Sequence, residues 1–416
     1  MIHFLPEPKH TCYSGAFIKS INGFTADKIF SRRIIHSAEL CCTPGKKGLM
    51  LVLEHNPALA RNDEYRLEFS SSRVKIISAG EHGAYYAIMT LRQLLESDGI
   101  PAEGYIEDWA DLEMRILHLD LKRVGWNFEY LMNLPRRIAS MKINYLLVEY
   151  EDKIKFDFCK IIPAASAFSK DQIRAFAAEA EAHCLEIIPL VQCLGHWEYI
   201  LKHQKYAGLR EYPEDVSMGC PLKPDTFQLF KSMAGEVLEL HPNSRFFHIG
   251  ADETTLLGTC SACSDFKTEN SISRLYSDYV NKVFDYIQKE NSKTALFWGD
   301  MLLHYPEMAE QFLRSAIVVD WSYNPENLRE EKIRFRPIRK GALIDVNTYL
   351  QEAPPELRKD FDSCVNADAK TGTFDSLPYG GWFAKKGFKV LGASLIRRVF
   401  NVLTHAENAV QKNFTG

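Results

Sequence analysis

The second half of a regular alternation dominates this chain. From about residue 109 onward, short apolar runs alternate with stretches whose apolar side chains recur at helical spacing. The runs are Ile116–Leu121, Tyr145–Val148, Ile187–Val191, Phe246–Ile249, Ala295–Phe297, Ile317–Val319 and Val390–Ala393. Between them, helical faces are marked by Leu131, Leu134, Ile138 and Met141, then Ile173, Phe176, Ala180 and Cys184. Further faces follow at Phe227, Phe230, Ala234 and Val237, and at Leu275, Tyr279, Val283 and Ile287. Short apolar strands alternating with amphipathic helices predict a parallel sheet covered by helices. The first 108 residues read differently. Leu49–Leu53, Tyr65–Phe69 and Val74–Ile77 predict strands, the second with clear alternation, and Gly83 opens a helix with Ala84, Ile88, Leu91 and Leu95 on one face.

No glycine-rich phosphate loop follows any strand, which counts against a dinucleotide fold. The expectation is an α/β protein: a small α/β sheet domain over residues 1–108, then a (β/α)8 TIM barrel over 109–416. Only seven barrel strands can be counted. A helix with Leu403, Ala406, Ala409 and Val410 follows the seventh, and Asn413–Gly416 looks like the turn into an eighth. The barrel is therefore expected to lack its eighth strand in this chain. Ala342–Val346 is assigned to an insertion between strands six and seven.

Composition narrows the partners. The net charge is −4 over 416 residues, which does not favour a nucleic-acid backbone. No apolar run approaches the roughly 18 residues that span a bilayer, and the N-terminus shows no secretory pattern. A cytoplasmic protein with free thiols is expected from the scattered ten cysteines. Cys260-x-x-Cys263 is the one metal-like spacing. Without a second pair at zinc-ribbon distance it reads as free thiols, so neither metal nor cofactor is expected.

In such barrels the active site lies at the C-terminal ends of the strands. There the polar residues accumulate. The fourth strand ends in His248-Ile249-Gly250-Ala251-Asp252-Glu253. The others contribute His118, Asp120, Lys122 and Arg123; Glu149, Glu151 and Asp152; Gln192 and His196; Trp298 and Asp300; and Asp320, Trp321 and Tyr323. A lone Asp-Glu pair is usually a solvated loop. A ring of such groups is harder to explain as stability alone, because buried polar groups need partners. Carboxylates, tryptophan faces and an arginine without a cofactor fingerprint suggest glycoside hydrolysis, which needs a general acid at the leaving oxygen. Adjacent residues on an extended backbone point to opposite sides. Asp252 and Glu253 are thus expected to divide the labour rather than flank one bond.

These motifs resemble glycoside hydrolase family 20, and within it the hexosaminidase D-like branch. His248–Glu253 resembles the family's His-x-Gly-x-Asp-Glu signature. Leu119–Arg123, Glu149–Lys153, Gly195–Glu198 and Trp298–Met301 resemble its other strand-end motifs, and Gly83–Ile88 its preceding small domain. The third strand departs from the pattern in reading Gln192-Cys193-Leu194 before Gly195-His196. The resemblance implies removal of terminal β-linked N-acetylglucosamine or N-acetylgalactosamine from an oligosaccharide or glycoconjugate. The substrate's own acetamide oxygen would be the nucleophile. Glu253 would be the general acid and base, and Asp252 the group that orients the acetamide. Arg123 would grip sugar hydroxyls, with Asp152 and His196 as a supporting pair. Trp298 and Trp321 would wall the acetamide pocket, Tyr323 would bond its oxygen, and Asp300 would hold a hydroxyl or the acetamide. Two other readings stand beside this one. The first is a retaining glycosidase acting on non-acetamido sugars, with Asp300 or Asp320 as nucleophile. The second is a non-catalytic sugar-binding protein.

Overall fold

The computed structural model describes residues 4–45, 47–122, 125–322, 329–339, 342–362, 364–376 and 379–394. The chain divides into two compact units. Of the described residues, those up to Leu117 with Asn127–Tyr145 and Ala175–Glu186 form one; those between Leu117 and Asn127, Leu146–Arg174 and those from Ile187 onward form the other.

The first unit is built on strands β1 (His10–Ile18), β2 (Ile21–Ala26), β3 (Leu49–His55), β4 (Tyr65–Phe69), β5 (Arg73–Ser78) and β6 (Ile100–Asp108). They form one sheet in the order β1-β6-β4-β5-β3-β2. Helices α1 (Arg32–Glu39) and α2 (Glu81–Glu96) accompany it. The alternation along β4 becomes alternating burial, with Tyr65, Leu67 and Phe69 inside. Of the predicted α2 face, Ala84, Ile88 and Leu91 are fully buried and Leu95 is half-buried; burial extends around the helix over Gly83–Leu91. β1, β2 and β6 carry no such signal; α1 is short, with Ile34, Ser37 and Ala38 buried on one face. β1 is largely exposed and β6 contains Pro101 and Gly104, so neither shows a hydrophobic period. A buried ion pair, Lys142 Nζ to Asp108 Oδ2 at 2.5 Å, completes the core together with the Tyr65 hydroxyl.

The second fold element is a curled, seven-stranded parallel half-barrel. Its strands are β7 (Ile116–Asp120), β8 (Tyr145–Glu149), β9 (Glu186–Leu190), β10 (Phe246–His248), β11 (Thr294–Trp298), β12 (Ile317–Asp320) and β18 (Lys389–Gly392). They pair in that order, so the seven apolar runs seen in the sequence are the seven strands of one sheet. β8 and β12 are buried at every position, which is why they read as continuous apolar runs rather than as alternation. The connecting helices include α3 (Phe128–Ser140), α4 (Lys170–Ala182), α5 (Glu198–Leu201), α6 (Pro224–Leu240), α7 (Ser261–Glu269), α8 (Ile272–Asp285) and α9 (Asp300–His304). Asn127 and Ser271 cap α3 and α8 by accepting from the N–H groups of Tyr130 and Arg274.

Between β12 and β18 lie β13 (Arg329–Glu330), β14 (Lys332–Arg334), α10 (Arg336–Arg339), β15 (Leu343–Asp345), β16 (Val365–Asp368) and β17 (Thr373–Ser376). The run Ala342–Val346 contributes β15, which pairs with β14 and stays out of the barrel sheet. It belongs to the insertion, as read from the sequence. Among the described residues no eighth strand joins the barrel sheet. The expected last helix at Leu403–Val410 and the turn at Asn413–Gly416 lie outside the described residues.

Candidate active site

β10 is only three residues long, and its exit carries the reacting candidates. Gly250, Ala251 and Glu253 have φ of 66°, 72° and 51°. The backbone is therefore not extended here, and alternation does not apply. Asp252 and Glu253 do not point to opposite sides; both carboxylates reach the same imidazole. His196 Nε2 lies 3.1 Å from Asp252 Oδ2 and 3.6 Å from Glu253 Oε2. His196 itself has φ of 54°. Left-handed backbone at non-glycine residues costs about 1–2 kcal/mol each, and such strain gathers where a structure holds side chains for a purpose. Two glycines make the turn possible. A Cβ on Gly250 would lie 1.8 Å from Gln192 Oε1, and one on Gly195 would lie 2.6 Å from the Asp252 carbonyl oxygen.

The two carboxylates differ in environment. The Asp252 side chain is 15% exposed and that of Glu253 54% exposed. Gln192, just past β9, donates from Nε2 to Asp252 Oδ1 at 3.2 Å and to Glu149 Oε1 at 3.1 Å. The hydrogen bond to Asp252 raises the His196 imidazole to about 9. It is a cation at neutral pH, held between the two acids. His248 is the opposite case. Burial and then His118 lower it to about 3, and its Nδ1 accepts the Gly250 N–H at 3.0 Å, which orders the turn.

A second network lies at the ends of β7 and β8. Lys122 Nζ is 2.8 Å from Glu149 Oε2, and His118 Nε2 is 3.4 Å from the same oxygen. Burial pushes the Glu149 carboxyl up, but His118 and Lys122 outweigh it and hold it well below the usual range. Glu151, half-buried and close to the Glu149 charge, is raised to about 8 by desolvation and then by Glu149, so it is protonated at neutral pH. Asp152 is paired with Lys153 rather than with His196. Asp152 and His196 nevertheless line one cleft of about 270 Å³ with Lys122, Glu151, Glu198 and Tyr199.

Asp300, at the start of α9, is buried. Its Oδ2 accepts the Glu253 N–H at 3.1 Å and its Oδ1 accepts Trp321 Nε1–H at 3.3 Å. Burial, reinforced by Asp252, raises it to about 7. Asp300 thus ties the Glu253 backbone to Trp321. Trp298 stacks obliquely on His248 and His118, at centroid distances of 4.5 and 5.9 Å. Arg123 and Tyr323 lie outside the described residues. The structure adds Arg336, whose guanidinium sits 4.5 Å above the Trp321 ring. It comes from the insertion, and no motif marked it. Nor did any motif mark Tyr276, whose hydroxyl donates to the Ala251 carbonyl and braces the strained turn.

The family model of glycosyl hydrolase family 20, catalytic domain, matches residues 113–334, and that of family 20, domain 2, matches residues 30–109. The chain belongs to glycosyl hydrolase family 20. It is similar to Hexosaminidase D of Bos taurus, 33% identical over 47% of this chain and 57% of the relative. It is also similar to Hexosaminidase D of Homo sapiens, 35% identical over 51% of this chain and 46% of the relative. The chain thus spans about half the length of the curated relatives it matches. Among solved structures, it resembles in fold the family 20 exo-β-N-acetylglucosaminidase of Vibrio harveyi in complex with N-acetylglucosamine. The TM-score is 0.64 at 19% identity, covering 77% of this chain and 57% of that one. No helix among the described residues is long and apolar enough to cross a membrane.

Proposed function

We propose that this chain is a β-N-acetylhexosaminidase that removes terminal β-linked N-acetylglucosamine or N-acetylgalactosamine by substrate-assisted, retaining hydrolysis. The observation that carries the reading is the pair Asp252–Glu253 converging on the His196 imidazolium. Asp252 has both carboxylate oxygens engaged, Oδ1 by Gln192 and Oδ2 by His196, which suits it to orienting a substrate group rather than attacking the anomeric carbon as the second carboxylate of a retaining pair does. The nucleophile is then the 2-acetamido oxygen of the substrate. Glu253, the more exposed of the two, protonates the leaving oxygen and then deprotonates water. Asp252, held by Gln192 and His196, takes the acetamide N–H and balances the oxazolinium charge. Asp300, Trp321 and Trp298 form the acetamide side of the site. Asp152 lines the open cleft, and Arg123 and Tyr323 complete the sugar contacts.

The reading with a carboxylate nucleophile fits less well. Asp300 is buried and neutral up to about pH 7, so it is a poor nucleophile. Asp320 is buried too and spends one oxygen on the Ser322 N–H. We further propose domain limits of 1–108 and 109–416 and a cytoplasmic location. The test is a chromogenic N-acetyl-β-glucosaminide beside the plain β-glucoside, with a thiazoline mimic of the oxazoline as inhibitor. The reading requires hydrolysis of the first alone and inhibition by the mimic, weakened in Asp252→Asn. Equal hydrolysis of both substrates, or no hydrolysis of either, sinks it.

A further inference from the structure

The loops that follow β9 and β10 meet in a second cluster, away from the carboxylates. Sγ of Cys220 lies 3.4 Å from Sγ of Cys263 and 3.6 Å from Sγ of Cys260. A carboxylate oxygen of Glu211 joins them, and the four ligand atoms all lie within 4.8 Å of one another. These sulfur distances are far longer than a disulfide bond of about 2.05 Å. They are close to the edge of a thiolate tetrahedron, about 3.8 Å for zinc–sulfur bonds of about 2.3 Å. Glu211 is fully buried. Its Oε1 accepts the N–H groups of Gly258, Thr259 and Cys260 at 2.9, 2.8 and 3.2 Å, while Oε2 is buried without a partner. A buried carboxylate oxygen left unpaired is costly and calls for a positive partner. Cys260 is the cap of α7, and its Sγ accepts the Cys263 N–H at 3.4 Å, a contact that favours a thiolate at a helix N-terminus.

We propose that Cys220, Cys260, Cys263 and Glu211 hold one structural zinc ion. Sulfur-rich tetrahedral sets with all positions filled by protein are those of structural zinc. Binding releases the three thiol protons to solvent and forms three Zn–S bonds and one Zn–O bond. The ion would close a loop between the two segments that carry the acid site. Residues 211–220 are tied to the His196 turn, with Trp197 N–H donating to the Ser217 carbonyl at 2.9 Å and Gly219 N–H to the Leu194 carbonyl at 3.0 Å. Residues 258–263 begin five positions after Glu253. The zinc would thus hold the imidazole against its carboxylates while touching neither.

The experiment is elemental analysis of the full chain purified without chelator, followed by thermal melting with and without a strong zinc chelator. About one zinc per chain is expected. Its removal should lower Tm by roughly 10 °C, and added zinc should restore it. Cobalt in its place should give the ligand-field spectrum of a tetrahedral thiolate site. Cys220→Ser and Cys263→Ser should each lose the metal; because either could fold poorly, the wild-type measurements decide. A metal-free wild type that gains no zinc on loading overturns the proposal. So does an equivalent of iron instead, a Cys220–Cys263 disulfide, or a Tm that chelation leaves unmoved.

Discussion

Replacing His196 by Asn tests the centre of the site with little disturbance to the backbone. The position has φ of 54°, and Asn tolerates left-handed backbone better than almost any other non-glycine residue. What is lost is the cation 3.1 Å from Asp252 and 3.6 Å from Glu253. A hydrogen bond to a charged group contributes about 1.5–3 kcal/mol. The shift of the imidazole itself from 6.5 to about 9 corresponds to about 3 kcal/mol in favour of its charged form. The two figures agree, and they translate to a fall of about 10²-fold in kcat/KM on an aryl N-acetyl-β-glucosaminide. The sign with pH follows from the raised value. The stabilisation is fully present below 6.5 and is lost as pH rises through about 9. Wild-type Tm should therefore exceed that of the variant at pH 6, and the gap should close by pH 10. An alkaline limb of activity near 9 should be seen in the wild type only. Wild-type kcat/KM in the variant, or a Tm gap that does not change with pH, would show that the imidazolium does not organise the two acids.

Glu253→Gln should lower turnover by roughly 10²- to 10⁴-fold on substrates with poor leaving groups and by less on activated aryl glycosides; equal losses on both take the acid role from Glu253. Asp300→Asn mimics the neutral acid. The wild type should lose stability as pH rises through about 7, where buried Asp300 ionises beside Asp252, and the variant should not; parallel Tm-against-pH curves would count against a protonated Asp300. Gly250→Ala should destabilise by at least about 1–2 kcal/mol from the left-handed backbone alone. The Cβ would also strike Gln192 at 1.8 Å, so activity should fall with Gln192 displaced from Asp252; a stable and active variant would show that the turn has slack.

The barrel was legible in the sequence because its signal is local. β8, β9, β11 and β12 are almost wholly buried, so each is a run of apolar residues whatever its neighbours. The motif at the end of β10 was legible for the same reason: a strand end fixes where Asp252 and Glu253 emerge. β1 and β6 were not, since exposure, Pro101 and Gly104 erase their period. The direction in which the two acids point was misjudged, because the alternation rule assumes an extended backbone and this turn is left-handed at Ala251 and Glu253.

What the sequence determined by itself, then, was the order of strands and helices and the identity of the groups at the strand ends. Tertiary structure decided which of those groups meet and in what state of charge. Asp300 is an ordinary aspartate in the sequence; burial next to Asp252 is what raises it to about 7. Arg336 reaches Trp321 only because the insertion folds back. Cys260-x-x-Cys263 lacks a second pair along the chain, yet Cys220 and Glu211 complete the set from a loop 40 or more residues earlier. Side-chain periodicity reports a residue's own environment, whereas charge state and ligation depend on distances that only the folded chain establishes.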